Sequence, residues 1–364
     1  MISRLFHRFV MHIDAFLMAC LLFTLLASLF ILYSASGQSF ERVYAHGINI
    51  AVALSVLWLV ANIPPNQLER IALPLYLLGV TLLIGVALFG TISHGARRWL
   101  NVGIIHIQPS EIMRIALPMM LAWYFAKREG KPKPSHFAFA GLLLAIPVAL
   151  IMKQPDLGTS LLIAASGFFI LFLAGLNWKF LLGVTTLLAS LTPVFWSMLH
   201  DYQRRRIEIL FDPTQDPLGS GYHTIQAIIA IGSGGSAGKG WLNGTQTQLD
   251  FLPERTTDFI FAVFSEEFGF LGNMMLLGLF SLIIIRGLVI ASQAQSTFSR
   301  LLAGSITLTF FTYAFVNMGM VSGILPVVGV PLPLISYGGT SMVMLCLSFG
   351  ILMSIHTHKK LVAT

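Results

Sequence analysis

An all-α polytopic membrane protein with about ten transmembrane helices is what this 364-residue sequence predicts, and three observations predict it. Hydrophobic residues fill 56% of positions and charged residues only 10%, against roughly 25% charged in a soluble domain. The mean hydropathy is +0.81. The charges gather in short clusters, and between them lie apolar runs near the length of about 20 residues that a helix needs to cross a bilayer core. Lipid offers no partner to backbone N–H and C=O groups, which selects helices over open strands for those runs.

In order, the expected spans are 13–33, 44–63, 71–89, 112–125, 137–152, 157–173, 180–199, 268–285, 301–322 and 334–355. Arg4 and Arg8 precede the first, but its apolar run exceeds a signal-peptide core and no A-x-A cleavage pattern follows, so it is expected to stay in the mature protein. Cys20 and Cys346 both fall inside spans, which leaves no external disulfide framework and no metal-binding spacing.

An even number of spans puts both termini on one side, and Arg4, Arg8, Lys359 and Lys360 make that side cytoplasmic. Arg70, Lys127, Arg128, Lys131, Lys133, Lys179, Arg286 and Arg300 fall on the same face. The outer face then carries Arg42, Arg97, Arg98, Arg114, Lys153, Arg204, Arg205, Arg206, Lys239 and Arg255, which orientation does not require. Long loops translocate regardless of charge, which accounts for the five between Asp201 and Thr257. Arg97, Arg98, Arg114 and Lys153 sit on short connections and need another reason. The expected organisation is one integral membrane domain over 1–364, with a large extracytoplasmic loop, 200–257, between spans seven and eight that carries part of the active site. That loop is too rich in Ile, Leu, Phe and Trp for disorder and is expected to pack on the membrane surface.

The glycine-rich stretch 232–241 invites two readings that its residues exclude. A Walker loop needs Gly five residues before its Gly-Lys pair and Ser or Thr after it, but Ser233 and Gly240 stand there. Gly234-Gly235-Ser236-Ala237-Gly238 matches G-x-S-x-G, yet the histidines that follow, His356 and His358, are expected on the cytoplasmic side, so no hydrolase triad can form.

Asp258 has two readings. If 258–286 were one straight helix it would span about 44 Å against a core of roughly 30 Å, placing Asp258 at the outer interface. Thr256 or Thr257 would cap it, with Asp258 in the first turn where the helix dipole favours a carboxylate. Alternatively, a carboxylate beside Phe259, Ile260 and Phe261 is a half-dry general base. Ser110 and Asp156 are natural N-caps, and Glu111 and Arg114 are three apart, so they can pair on one face. Equally, these residues with Lys153, Arg97 and Arg98 would line a mixed-charge groove around a headgroup. Asp14, Glu266 and Glu267 lie near span ends and are expected to be solvated and without a function.

The ordered motifs Arg97-Arg98-Trp99-Leu100, Gln108-Pro109-Ser110-Glu111, Gln154-Pro155-Asp156-Leu157-Gly158-Thr159 and Asp201-Tyr202-Gln203 resemble those of the SEDS family (shape, elongation, division, sporulation). Gly219-Ser220-Gly221-Tyr222, Gly238-Lys239-Gly240-Trp241, Leu252-Pro253-Glu254-Arg255, Thr257-Asp258-Phe259-Ile260-Phe261 and Pro331-Leu332-Pro333-Leu334-Ile335-Ser336-Tyr337-Gly338-Gly339 continue the likeness along nearly the whole chain. The arginine of Leu252-Pro253-Glu254-Arg255 resembles the rod-shape branch more than the division branch. Two residues depart from the pattern: Thr256 stands where relatives often carry His, and Arg114 where they often carry Lys. The first weakens any histidine-assisted scheme at Asp258; the second keeps the charge but exchanges a point donor for a fork.

The resemblance implies a peptidoglycan glycosyltransferase of the bacterial cytoplasmic membrane that polymerises lipid II during elongation, with Asp258 at the family's essential aspartate. It implies a class B penicillin-binding protein, a transpeptidase, and other elongation-complex membrane proteins as partners; nothing points to nucleic acid. In that chemistry Asp258 activates the acceptor 4-hydroxyl, and the donor anomeric carbon inverts with no covalent enzyme intermediate. Undecaprenyl pyrophosphate leaves as an anion, so cations replace the second carboxyl group that a glycosidase needs. The expected substrate-binding set is Arg97, Arg98, Glu111, Arg114, Lys153, Asp156 and Lys239. No metal-ligand cluster stands out, and a divalent cation, Mg or Mn, stays open as a cofactor. A lipid II flippase and a non-catalytic scaffold are the alternatives; against the flippase, the ionisable residues concentrate at the outer face and not at midplane.

Overall fold

The computed structural model describes residues 11–93, 96–102, 105–128, 132–154, 156–198, 204, 208–210, 212, 220–248, 252 and 254–358. Its helices are α1 (Ala15–Ala35), α2 (Phe40–Ala61), α3 (Pro65–Phe89), α4 (Pro109–Ala126), α5 (Pro134–Met152), α6 (Leu157–Leu173), α7 (Trp178–Ser190), α8 (Thr192–Met198), α9 (Ser220–Ser233), α10 (Thr245–Gln248), α11 (Ile260–Ser292), α12 (Thr297–Val321) and α13 (Gly339–Thr357). Seven of them, α1, α2, α3, α5, α11, α12 and α13, are long and apolar enough to cross a membrane, and α6 is a shorter apolar helix. The chain is a polytopic membrane protein.

Helix α4, at the expected fourth span, carries charge at its start. It begins with Glu111 and Arg114, and most of its side chains are buried against neighbouring helices, so protein and not lipid surrounds it. The expected seventh span, 180–199, is divided into α7 and α8. Pro193 is the cause, because its ring clashes with the carbonyl four residues back and it brings no N–H to the ladder.

The expectation of helix throughout misses one feature. Between α3 and α4 the chain forms a three-stranded antiparallel meander of β1 (Thr91–Ser93), β2 (Ala96–Val102) and β3 (Ile105–Ile107), with Thr91 opposite Trp99 and Asn101 opposite His106. The β-branched and aromatic residues Ile92, Trp99, Val102, Ile105 and Ile107 suit a strand, and the segment lies between spans, where the lipid argument for helices does not apply.

The segment 258–286 is not one straight helix. α11 starts at Ile260 with Phe259 at the N-cap position and no side-chain cap, so neither Thr256 nor Thr257 serves. Asp258 belongs instead to the turn 254–259. At Gly269 (φ 63, ψ −160) the helix breaks and resumes. The glycine-rich stretch supplies the missing bonds: Lys239 and Gly240 N–H donate to the carbonyls of Glu266 and Glu267, both at 3.0 Å, while Phe270 and Leu271 N–H donate to Gly235 and Ser236 at 2.9 and 3.0 Å. In an unbroken helix those four groups would have bonded to one another. A Cβ on Gly234 would lie 2.1 Å from Ser265 O, and one on Gly238 2.1 Å from Glu267 O, so only glycine permits the approach. The stretch is a backbone clasp on a helix kink.

The clasp also corrects the expectation of solvated acids. Glu266 is fully buried, accepting from Lys239 Nζ at 2.7 Å and Thr245 Oγ1 at 3.0 Å. Glu267 is buried and accepts from Ser34 of α1. At the other end of the helices Asp14 is buried too, capping α1 through Leu17 N–H at 2.8 Å, pairing with Arg286 of α11 and lying 2.9 Å from His356 Nδ1 of α13. The apolar runs gave span ends a few residues short, and cover by neighbouring elements did the rest.

Candidate active site

The turn 254–259 presents Asp258. Glu254 takes the left-handed conformation (φ 50), and its carbonyl accepts from Thr257 N–H at 3.1 Å and Phe259 N–H at 3.2 Å. Thr257 Oγ1 donates to Glu254 Oε2 at 2.9 Å. The carbonyls of residues 256–258 each have their own donor: Tyr337 N–H to Thr256 O at 2.9 Å, Ser336 Oγ to Thr257 O at 2.6 Å, and Asn317 Nδ2 to Asp258 O at 2.8 Å. His223 of α9 stacks on Phe259, ring centres 5.8 Å apart, so α9 backs the turn.

Burial, aided by the neighbouring Glu254 charge, pushes the Asp258 carboxyl up to about 6. Gly329 lies beside it: φ is 73, and a Cβ there would come 3.4 Å from Asp258 Oδ2. A raised carboxyl group with backbone on one side and, among the described residues, no cation paired with it is a competent proton acceptor near neutral pH.

A second cluster sits at the starts of α4 and α6. Arg114 Nη1 donates to Glu111 Oε2 at 2.7 Å, and its guanidinium lies over the Tyr313 ring at 5.1 Å. Asp156 caps α6, accepting from Thr159 N–H at 3.1 Å, and acts electrostatically on both Glu111 and Arg114. Glu111 and Asp156 are both buried. Ser110 does not cap α4; Gln108 holds that position and Pro109 the first helical one, where its missing N–H costs nothing.

The segment 328–330 joins the two clusters. Gly158 of α6 packs so closely that a Cβ would lie 2.5 Å from Val328 O, Gly329 faces Asp258, and Val330 O accepts from Asn317 Nδ2 at 2.7 Å. Of the expected site residues, Glu111, Arg114 and Asp156 are thus brought together and connected to Asp258. Lys239 is held in the clasp by Glu266 and Thr245. Lys153 is exposed at the C-cap of α5. Arg97 and Arg98 lie on β2, and their side chains are outside the described residues. Among the described residues no group of three or more His, Cys, Asp or Glu could hold a metal ion.

Sequence reasoning missed Asn317, Tyr313 and Gly329. Asn317 had a signal: a lone amide in an apolar span is costly in lipid and calls for a partner.

The sequence profile of the FTSW_RODA_SPOVE family, described as cell cycle protein, matches residues 6–361. The chain is 51% identical to the peptidoglycan glycosyltransferase MrdB of Escherichia coli K12 over 353 residues, covering 97% of this chain and 95% of that one. Among solved structures it is similar to a chain from a study of the structural coordination of polymerization and crosslinking by a peptidoglycan synthase complex, with TM-score 0.83, 31% identity, and 95% and 99% of the two chains covered. It is also similar to the rod shape determining protein RodA of Thermus thermophilus, with TM-score 0.70, 26% identity, and 95% and 98% covered. Matched along nearly its entire length, the chain belongs to the FTSW_RODA_SPOVE family of cell cycle proteins.

Proposed function

We propose that the chain is a peptidoglycan glycosyltransferase that polymerises lipid II on the outer face of the bacterial cytoplasmic membrane during cell elongation, with both termini cytoplasmic. The observation that carries the mechanism is Asp258, half-dry, raised to about 6 and held on a pinned turn. Asp258 takes the proton of the acceptor 4-hydroxyl, the oxygen attacks the donor anomeric carbon from the face opposite the pyrophosphate, and the bond to pyrophosphate breaks with inversion. No acid is required, because pyrophosphate leaves as an anion. Arg114, oriented by Glu111 and Tyr313, stabilises that charge, with Asp156 tuning the pair and Arg97, Arg98 and Lys153 as further cations of the outer face. Lys239 contributes through the clasp.

The likeness to a synthase complex that couples polymerization and crosslinking supports a transpeptidase, a class B penicillin-binding protein, as partner. The test is the purified chain alone with lipid II: glycan strands without any other enzyme support polymerisation. Transbilayer movement of lipid II without polymer would instead make the chain a transporter, and neither activity would make it a scaffold.

A further inference from the structure

We propose that Asn317 and Ser336 are positioning residues that fix the Asp258 carboxylate by clamping the backbone it hangs from; this rests on the reading of Asp258 as the base. Asn317 has no exposed surface, and its one Nδ2 group donates to two carbonyls from separate segments, Asp258 O at 2.8 Å and Val330 O at 2.7 Å. Both neighbours are acceptors only, so the amide can face them only with its NH2 group. The other end of the amide, Oδ1, has no hydrogen-bond partner among the described residues, so the donor end is what the residue contributes. Ser336 works in both directions, donating to Thr257 O at 2.6 Å and accepting from Leu332 N–H at 2.8 Å.

The two side chains therefore grip consecutive carbonyls, 257 and 258, and tie both to the 330–336 segment. That segment runs on from Gly329, which faces the carboxylate, and from Val328, which packs on the first turn of α6 beside Asp156. With the carbonyl of Asp258 pinned, its side chain has little freedom beyond its own rotamers, and the base keeps a fixed position relative to the cluster of Glu111, Arg114 and Asp156. A displacement of the order of 1 Å at a reacting group is enough to cost about a hundredfold in rate.

The test uses the purified full chain in a lipid II polymerisation assay with Ser336→Ala, Ser336→Thr, Asn317→Ala and Asp258→Asn, each checked for a monodisperse folded state. Ser336→Ala and Asn317→Ala are expected to lower kcat by about ten- to a hundredfold with little change in KM. They should also move the acidic limb of the pH–rate profile to lower pH, because a loosened turn lets water reach the carboxylate. Ser336→Thr, which keeps the hydroxyl, should recover most of the rate. Folded Ser336→Ala and Asn317→Ala with wild-type kcat and an unmoved acidic limb, beside an inactive Asp258→Asn, would overturn the positioning role alone. Polymerisation by Asp258→Asn would overturn the base and the clamp together. If Ser336→Ala does not fold, the near-isosteric Ser336→Cys takes its place, and loss of folding in Asn317→Ala, Ser336→Ala and Ser336→Cys alike would assign these contacts to stability and overturn the proposal.

Discussion

Gly240 N–H reaches the carbonyl of Glu267 at 3.0 Å and takes the place of the helical donor four residues on, Leu271, whose own N–H has turned to Ser236 O at 3.0 Å. A loop segment has replaced one turn of a helix's internal ladder. The kink at Gly269 is held open from outside, and the start of α11, with the Asp258 turn above it, is aimed by that exchange.

The clasp should be intolerant of a methyl group at one glycine and indifferent at another. Gly238→Ala places a Cβ 2.1 Å from Glu267 O at φ 80 and is expected to cost about 2 kcal/mol or more. Gly232, in α9, has nothing within 4 Å and an ordinary φ, so Gly232→Ala should be neutral or stabilise by up to about 1 kcal/mol. Thermal unfolding in detergent separates the two; equal effects would remove the clasp.

The acidic limb of kcat/KM should lie near pH 6, with activity rising as pH climbs through it, because the base works only when ionised. Glu254 raises the Asp258 carboxyl by like charge, so Glu254→Gln should move that limb to lower pH. The stability effect has the opposite sign. A carboxyl group raised from 3.8 to about 6 in the folded state stabilises it fully below 3.8 and loses that contribution as pH rises through 6. Asp258→Asn should therefore unfold at a higher temperature than wild type at pH 8 and show no such gain at pH 3.5. A helix-capping role for Asp258 would instead make Asp258→Asn less stable at pH 8.

Arg114→Gln should lower polymerisation by roughly a hundredfold, the usual loss for one charge-stabilising donor. Arg114→Lys keeps the charge but cannot reproduce the fork that donates to Glu111 while lying over Tyr313, so part of the activity should remain. Full activity in both variants, with unchanged donor affinity, would leave Arg114 as a structural partner of Glu111.

Where α1, α11 and α13 meet at Asp14, Arg286→Gln should destabilise the fold by on the order of 3 kcal/mol, the low end for stranding a buried carboxylate, because Arg286 keeps 25% of its side chain exposed. The double variant Asp14→Asn with Arg286→Gln should recover much of that loss, and the folded protein should polymerise normally in both cases. Thermal midpoints for the two variants check this; equal midpoints would dissolve the pair.

What was legible in the sequence followed the range of the forces involved. Apolar runs and the i,i+3 pair Glu111–Arg114 are local, and each was readable, as was the cap at Asp156. The break at Pro193 was equally local and should have divided the seventh span. The strand meander between α3 and α4 escaped because bilayer reasoning covers only what lies in lipid. Burial of Asp14 depends on Arg286, 272 residues away, and the clamp on Asp258 on Asn317, 59 residues on; no spacing rule reaches that far. The glycine-rich stretch was readable as departing from the Walker spacing, but its partner, the kink in α11, was hidden inside an apolar run that looked continuous.

The most direct test of the account is lipid II polymerisation by purified Asp258→Asn, which keeps the shape of the side chain and removes the base. The variant is expected to fold, to bind lipid II and to make no detectable glycan polymer at any pH. Polymer formed at the wild-type rate by folded Asp258→Asn would contradict the assignment of Asp258 as the base and the mechanism built on it.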